Sequence, residues 1–210
     1  MLSAIIMASG FSKRFGKEDK LLSKINNRYI IEIVCENALR SNLEEIILVY
    51  RNDKINEIIS NKKISKIKNN NAEKGMSESL KLGIRNSSKN LTGYLFLMGD
   101  QPLVNKDIIN TLVNTFNKNN QKIILPVFNS KKSSPTIFPV KYKNELLEIK
   151  GDVGGRLLIK KYFKEIIEVD FKNNKNKDVD KIEDVKITDK LFKKENWHFK
   201  YETLIIKKSG

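Results

Sequence analysis

The sequence has few of the residues from which many metal and catalytic sites are built. It contains one cysteine, Cys35, and one histidine, His198, among 210 residues. A single cysteine excludes an intramolecular disulfide framework and any multi-cysteine metal site. A single histidine excludes a multi-histidine zinc site, and we do not expect a histidine-based triad. Cys35 falls within an apolar helical pattern, so we interpret it as a packing residue.

Long hydrophobic runs are also missing. No apolar stretch approaches the roughly 18–20 residues that a membrane-spanning helix needs. The opening run Leu2–Met7 is short and lacks a preceding basic region, so it does not predict a signal peptide. We therefore expect a cytoplasmic protein without a membrane partner.

The charge is strongly one-sided. Lys and Arg total 40 and Asp and Glu total 25, for a net charge of +15. Of the basic residues, 34 are lysines spread along the whole chain and only 6 are arginines. A nucleic-acid site more often uses arginine forks on a clustered face, so we predict no nucleic-acid partner. A positive surface can still attract polyanionic small molecules.

Apolar segments alternate with segments of helical spacing. Several predicted strands are apolar throughout, which favours an α/β fold with a mainly parallel sheet covered on both faces. The predicted strands are Leu2–Met7, Glu45–Tyr50, Ile64–Ile67, Gly93–Met98, Lys122–Val127, Thr136–Pro139 and Ile166–Asp170. The predicted helices are Ile30–Leu39, Ile55–Ile59, Ser77–Ile84, a segment around Ile108–Phe116, and Val153–Phe163. We predict one domain over residues 1–186 and a C-terminal extension, residues 187–210, without an assigned role.

A loop containing two glycines follows the first predicted strand, over Ala8–Lys20. Ligands of open parallel sheets bind beyond the carboxyl ends of the strands. Glycines allow the backbone to approach phosphate oxygens closely, and Arg14 and Lys20 supply positive charge. The loop therefore predicts phosphate binding, although an ordinary surface loop with lysines is the alternative.

Acidic residues follow other predicted strands. Asp100 comes directly after Gly93–Met98, where a carboxylate is well placed to hold Mg²⁺; a helix-capping turn is the alternative. Asp178 and Asp180 lie two residues apart on an extended segment and could complete a metal site with Asp100. The alternative for this pair is a solvated acidic turn.

Glycines concentrate in the same candidate segments. Asp152 and Arg156 flank a glycine-rich stretch and would face one space if it folds over a ligand, while a plain loop with a helix cap is the alternative. Seven of the ten glycines lie in these segments or in Gly75–Ser77, namely Gly10, Gly16, Gly75, Gly99, Gly151, Gly154 and Gly155.

Taken together, these segments resemble the MobA-like NTP transferase family. The loop M-A-S-G-F-S-K-R-F-G-K-E-D-K-L-L is similar to the family pattern L-A-[AG]-G-x-S-x-R-[MF]-G-x-x-K-x-L, with one extra residue before the lysine. G-D-Q-P, K-G-D-V-G-G-R and D-V-D-K-I-E-D match in order, and the last resembles D-I-D-T-P-E-D of the cytidylyltransferase (MocA-like) branch. The resemblance spans about residues 1–186 and implies a Rossmann-like three-layer nucleotidyltransferase fold with a mostly parallel central sheet.

The resemblance also implies a reaction. CMP would pass from CTP to the terminal phosphate of molybdopterin, pyrophosphate would leave, and the product would serve the maturation of molybdenum hydroxylases. Mg²⁺ would be the cofactor, and a molybdenum hydroxylase receiving the cofactor is a candidate partner. The alternatives are a guanylyltransferase, transfer to another phosphate acceptor, or a non-catalytic protein that binds and hands over the cofactor.

The resemblance assigns roles to individual residues. Arg14, Lys20 and Asp100 would be catalytic, Asp100 and Asp180 would bind the metal, and Asp152 and Arg156 would face the acceptor. The implied nucleotide-binding residues are Ala8, Ser9, Gly10, Ser12, Arg14, Gly16, Lys20, Gly75, Met76, Ser77 and Ser79.

Two features favour CTP over GTP. The segment Gly75–Ser79 is similar to G-M-S-x-S of family members that use CTP. Ser9 stands where CTP-using members tend to have alanine and guanylyltransferases glycine, and serine is nearer alanine in size. We therefore expect CTP as the nucleotide donor.

Overall fold

A computed structural model describes residues 1–12, 15, 19–171 and 178–194. Over these residues, strands and helices alternate for most of the chain. The strands are β1 (Leu2–Ala8), β2 (Lys24–Ile25), β3 (Arg28–Tyr29), β4 (Glu45–Tyr50), β5 (Ile64–Lys68), β6 (Gly93–Met98), β7 (Ile123–Phe128), β8 (Lys131–Lys132), β9 (Thr136–Pro139) and β10 (Ile166–Asp170). The helices are α1 (Ile30–Leu39), α2 (Asp53–Ile58), α3 (Met76–Arg85), α4 (Lys106–Lys118), α5 (Lys143–Glu148), α6 (Arg156–Lys161) and α7 (Ile182–Lys194).

The central sheet has the strand order β10-β7-β9-β6-β1-β4-β5, with β8 paired to β7. β1 is parallel to β4 and β6, β5 is parallel to β4, and β10 is parallel to β7. β9 runs antiparallel between β6 and β7, and β8 is antiparallel to β7. The predicted mostly parallel α/β sheet is confirmed.

Side chains alternate between the two faces of the sheet and fill two hydrophobic clusters. On β1, Ala4 and Ile6 pack in one cluster and Ile5 packs in the other. Helices α1, α2, α4 and α7 contribute to the first cluster, and α3, α5 and α6 to the second. Fully burying a side chain such as Phe116 stabilises the fold by about 1.5–3 kcal/mol. The fold therefore has three layers, with the sheet between two layers of helices.

The C-terminal part of the chain differs from the predicted elements. The predicted helix Val153–Phe163 is shorter, since α6 begins only at Arg156, after two glycines. Helices α5 and α7 and the β2–β3 hairpin were not predicted. α7 crosses the predicted boundary at residue 186, and its Thr188 and Phe192 are buried. Helix α7 therefore packs against the first hydrophobic cluster through Val185, Leu191 and Phe192.

The carboxyl ends of three central strands lie at one edge of the sheet. Met7 of β1 is in register with Met98 of β6, and Ala8 is in register with Tyr50 of β4. The chain segments that follow these strands are thereby brought together. Among the described residues, no helix combines the length and hydrophobicity that crossing a bilayer requires.

Candidate active site

Three charged side chains from distant parts of the chain meet at this edge. Lys20 Nζ lies 2.5 Å from Asp100 Oδ2 and 3.1 Å from Asp180 Oδ1. Lys20 follows the loop after β1, residues 9–19, which we call the β1 loop. Asp100 follows β6, and Asp180 precedes α7. We call these three residues the charged cluster. Its members were all predicted from sequence, and the fold brings them together.

The cluster is largely removed from solvent. The side chains of Lys20 and Asp100 are 14% and 12% exposed, and that of Asp180 is 46% exposed. Burial alone would lower the pKa of Lys20, but the Asp100 charge and hydrogen bonds to both carboxylates raise it above its usual value. Burial raises the pKa of Asp100, although the Lys20 charge opposes this. On balance, the environment of the charged cluster therefore disfavours the ionised form of the Asp100 carboxyl.

The two carboxylates have the donor chemistry that a divalent cation requires. A cation, the Lys20 ammonium, already lies between them. Asp100 Oδ1 is buried and has no hydrogen-bond partner among the described residues, so it offers an unused acceptor. Within the described ranges, no group of three or more His, Cys, Asp or Glu side chains is arranged to hold a metal. One or two carboxylates supplemented by substrate phosphates is a usual arrangement for Mg²⁺, so the residues fit such an ion.

Two polar side chains of the β1 loop accept hydrogen bonds from the backbone around Lys20. The Ser12 hydroxyl accepts from Lys20 N at 3.2 Å, and Ser12 has a left-handed backbone with φ of 51°. The Asp19 carboxylate, 7% exposed, accepts from Leu21 N at 3.1 Å and caps the short turn that carries Lys20. Phe15, a residue of the same loop, is buried in the first hydrophobic cluster. These contacts fix the start of the Lys20 side chain.

Two residues after β4 tie this loop to the rest of the edge. Asn52 Nδ2 donates to Asp19 Oδ2 at 3.2 Å, and Arg51 Nη2 lies 3.5 Å from the same oxygen. The Arg51 guanidinium lies 4.6 Å from the centre of the Phe11 ring. Arg51 therefore adds a cation beside the loop.

A second group of predicted residues meets through backbone contact, which we call the glycine contact. Gly75 has φ of +102°, and a Cβ there would lie 2.4 Å from the carbonyl carbon of Gly151. Ser77 N donates to Gly151 O at 3.1 Å, and Met76 N donates to Asp152 Oδ1 at 3.2 Å. The start of α3 is thus capped by the loop that precedes α6.

Polar side chains line the neighbouring part of the edge. The Ser9 hydroxyl donates to Val49 O at 3.1 Å, and Asn69 Nδ2 donates to Ser79 Oγ at 3.1 Å. Ser77 Oγ is buried and has no hydrogen-bond partner within the described part of the chain. These serines are buried around the start of α3 and the end of β1.

The remaining predicted site residues have different placements. Ala8 is buried at the end of β1, and Gly10 is exposed in the loop after it. Arg156 is exposed at the first position of α6. Arg14 and Gly16 lie outside the described residues. Cys35 is buried in α1, and burial, followed by the Glu32 charge, raises its pKa to about 12.

Sequence reasoning missed three polar residues at this edge: Asp19, Arg51 and Gln101. Asp19 directly precedes Lys20, and Arg51 directly follows the apolar run Glu45–Tyr50, so position after a strand was an available signal. Gln101 Nε2 donates to Asp178 Oδ1 at 2.5 Å. That pairing had no sequence signal, because it joins segments 77 residues apart.

Solved structures share this fold. A nucleotidyl transferase from Methanothermobacter thermautotroptrophicus matches with a TM-score of 0.79 and 17% identity, over 93% of this chain and 99% of that chain. A Mycobacterium tuberculosis H37Rv protein in complex with manganese matches with a TM-score of 0.76 and 16% identity, over 89% and 96%. These similarities support the fold assignment.

Sequence comparison supplies the family. A curated relative, a probable molybdenum cofactor guanylyltransferase from Natranaerobius thermophilus, is 27% identical over 144 residues, which is 68% of this chain and 67% of that protein. The MobA-like NTP transferase domain matches residues 4–166, well over half of the chain. The chain therefore belongs to the MobA-like NTP transferase domain family and is a nucleotidyltransferase.

Proposed function

We propose that this nucleotidyltransferase transfers CMP from CTP to the terminal phosphate of molybdopterin and releases pyrophosphate. The observation that carries the proposal is the charged cluster at the carboxyl edge of the sheet, beside a loop that follows β1. In-line transfer asks the protein mainly to position phosphates and to stabilise charge. The cluster and its loop supply both.

Lys20 is the proposed main cation for the triphosphate. Its ammonium is held at the edge by carboxylates and its backbone is fixed by Ser12. On nucleotide binding, the ammonium would stabilise negative charge on the transferring and leaving phosphates. Arg14 is proposed for the same task, and the backbone near Gly10 for cradling the phosphates.

Asp100 and Asp180 are the proposed ligands of a divalent cation, which we take to be Mg²⁺. The unpartnered Asp100 Oδ1 and the cation already between the carboxylates support this assignment. Such an ion would neutralise negative charge on phosphate oxygens when bound. The Mycobacterium tuberculosis protein that was solved in complex with manganese is similar to this chain in fold.

The choice of CTP rests on the buried serines. Ser9 is buried directly after β1, and its hydroxyl donates to Val49 O. Its side chain leaves less room for a base than a glycine would. Gly75–Ser79 is the proposed base-lining segment, and Ser77 Oγ is an unused polar atom there. A smaller pyrimidine suits this more crowded position.

The acceptor is proposed to lie on the side of the loop before α6. Arg156 is exposed there and can meet an anionic pterin phosphate. Asp152, also predicted to face the acceptor, holds this loop against Met76. The product would then pass to a molybdenum hydroxylase in the cytoplasm.

A second candidate is GTP as the donor. It is favoured by the name of the Natranaerobius thermophilus relative, a probable guanylyltransferase. The phosphate chemistry would be unchanged, and only the contacts of the base would differ.

A thermal-shift panel separates these possibilities. The protein is heated with CTP, GTP, ATP or UTP, each with Mg²⁺ and with a chelator. Ligand at 100 times its Kd stabilises the fold by about 2.7 kcal/mol, which gives a clear rise in Tm. We expect the largest Mg²⁺-dependent rise with CTP. A larger rise with GTP would select the second candidate, and no rise with any nucleotide, with or without molybdopterin, would contradict both.

A further inference from the structure

Gln101 is a buried side chain next to Asp100, in the turn after β6. It is 2% exposed, and its amide has partners on both sides. Nε2 donates to Asp178 Oδ1 at 2.5 Å, and Oε1 accepts from Ser134 Oγ at 2.9 Å. One side chain thus links three separate segments of the chain.

The orientation of this amide follows from its partners. A carboxylate only accepts hydrogen bonds, so the Asp178 oxygen must face the amide NH₂ group. The Ser134 hydroxyl donates to the other end and keeps the amide from turning over. Gln101 is therefore held in one orientation.

The segment that Gln101 contacts through Asp178 also contains Asp180. Val179, between the two aspartates, is fully buried, and its N–H donates to Asp100 O at 3.0 Å. Asp184 Oδ2 accepts from Asp180 N at 3.0 Å and from Lys181 N at 2.9 Å, which shapes the turn into α7. Asp180 is 80 residues from Asp100 in sequence, so contacts between distant segments such as these help to set their separation.

We propose that Gln101 is a positioning residue that holds the 178–180 segment so that the Asp180 carboxylate faces Asp100. It acts through Asp178, with Ser134 fixing its amide, and touches no substrate itself. The consequence for metal binding rests on the proposed function, while the effect on the segment does not.

The test exchanges the partners of this hydrogen bond. Gln101→Glu puts a carboxylate against the Asp178 carboxylate and should push the segment away. Adding Asp178→Asn restores a donor and an acceptor with their roles reversed, and the double variant has the same net charge as the native chain. Asp178→Asn alone keeps an acceptor for Gln101 Nε2 but removes a charge that acts on Asp100, so it measures the charge effect without loss of this hydrogen bond.

Two measurements read the result in the full chain. Hydrogen exchange follows the peptide that contains Val179, and Mn²⁺ titration, followed by electron paramagnetic resonance, gives the affinity for the metal. For Gln101→Glu we expect faster exchange and Mn²⁺ affinity lower by about 10–100-fold, as for other changes behind metal ligands. The double variant should return both close to native values.

The sign of the metal effect distinguishes positioning from a general charge effect. The extra negative charge of Gln101→Glu would by itself strengthen Mn²⁺ binding. Native or tighter Mn²⁺ binding with unchanged exchange would overturn the proposal, as would failure of the double variant to recover. If the native chain binds no Mn²⁺, the proposed metal site fails, and the exchange of the Val179 peptide alone decides the role of Gln101.

Discussion

The charged cluster and the glycine contact lie at the same edge of the sheet but are held together in opposite ways. In the charged cluster, three ionised side chains converge and one carboxyl is buried against its preference for water. In the glycine contact, no side chain stands between Gly75 and Gly151, and the hydrogen bonds are donated by backbone N–H groups to Gly151 O and the Asp152 carboxylate. The first arrangement buries a carboxyl at a cost in stability, whereas the second is a packing requirement. Substitutions should therefore separate activity from stability at the two places.

The largest effect is expected for Asp100→Asn. Loss of the buried carboxylate should lower the transfer rate by at least about 10³-fold, since it removes the charge that organises the site. The fold should be at least as stable as the native fold, because burial disfavours the Asp100 charge. Steady-state pyrophosphate release and Tm measure the two quantities. Asp53→Asn, at an exposed carboxylate 65% open to solvent, is the control and should retain activity. Near-native turnover of Asp100→Asn would remove Asp100 from the mechanism.

The same variant predicts a pH dependence of stability. The pKa of Asp100 is raised on folding, so this carboxyl contributes stability below its unfolded pKa of about 3.9 and loses that contribution as pH rises through the folded pKa. The native chain should therefore lose stability relative to Asp100→Asn as the pH rises above the unfolded pKa of about 3.9. Urea unfolding of both proteins across this range measures the difference. A difference that is constant with pH would show that burial does not perturb Asp100.

Lys20→Ala should have the next largest effect. Removing one preorganised charge at a phosphoryl-transfer site lowers the rate by about 10²–10³-fold, or about 3–4 kcal/mol of transition-state stabilisation. Lys68→Ala, at an exposed lysine paired with Asp53, should leave the rate unchanged. A native rate for Lys20→Ala in single-turnover assays would mean that the phosphates bind elsewhere.

Substitutions of glycine test the close backbone packing of the glycine contact. Gly75→Ala forces a Cβ to 2.4 Å from Gly151 and strains a φ of +102°, so it should destabilise the fold by about 1–3 kcal/mol. Gly151→Ala has a φ of +75° but open space around its Cβ, so it isolates the strain. Gly10→Ala has neither problem and should be near native in stability. Urea denaturation ranks the three, and equal stability of Gly75→Ala and Gly10→Ala would refute the packing argument.

The smallest effect is expected for Asp152→Ala. It removes the acceptor that caps Met76 N at the start of α3, and helix caps contribute about 1 kcal/mol. Asp152→Asn keeps an acceptor oxygen and should be nearly neutral. The difference in unfolding free energy between the two variants measures the cap. If both variants are equally unstable, charge rather than hydrogen bonding holds the loop.

Much of the fold and the charged cluster could be predicted from sequence, because both depend on local patterns. Apolar runs such as Glu45–Tyr50 mark parallel strands, and residues directly after them share an edge. The hydrogen bonds between distant segments could not be predicted. The Gln101–Asp178 pair joins segments far apart in sequence, and the cap by Asp152 depends on how two loops meet. Helix α7 was missed because its sequence is strongly charged and few of its residues, among them Thr188 and Phe192, are buried.

The most direct test of the central claim is a transfer assay with molybdopterin, Mg²⁺ and either CTP or GTP labelled at the α-phosphate. We expect label to pass to the pterin faster from CTP than from GTP, and we expect Asp100→Asn to abolish this transfer. Faster labelling from GTP would contradict the base assignment. No labelling from either nucleotide, or labelling that survives Asp100→Asn, would contradict the proposed reaction at the charged cluster.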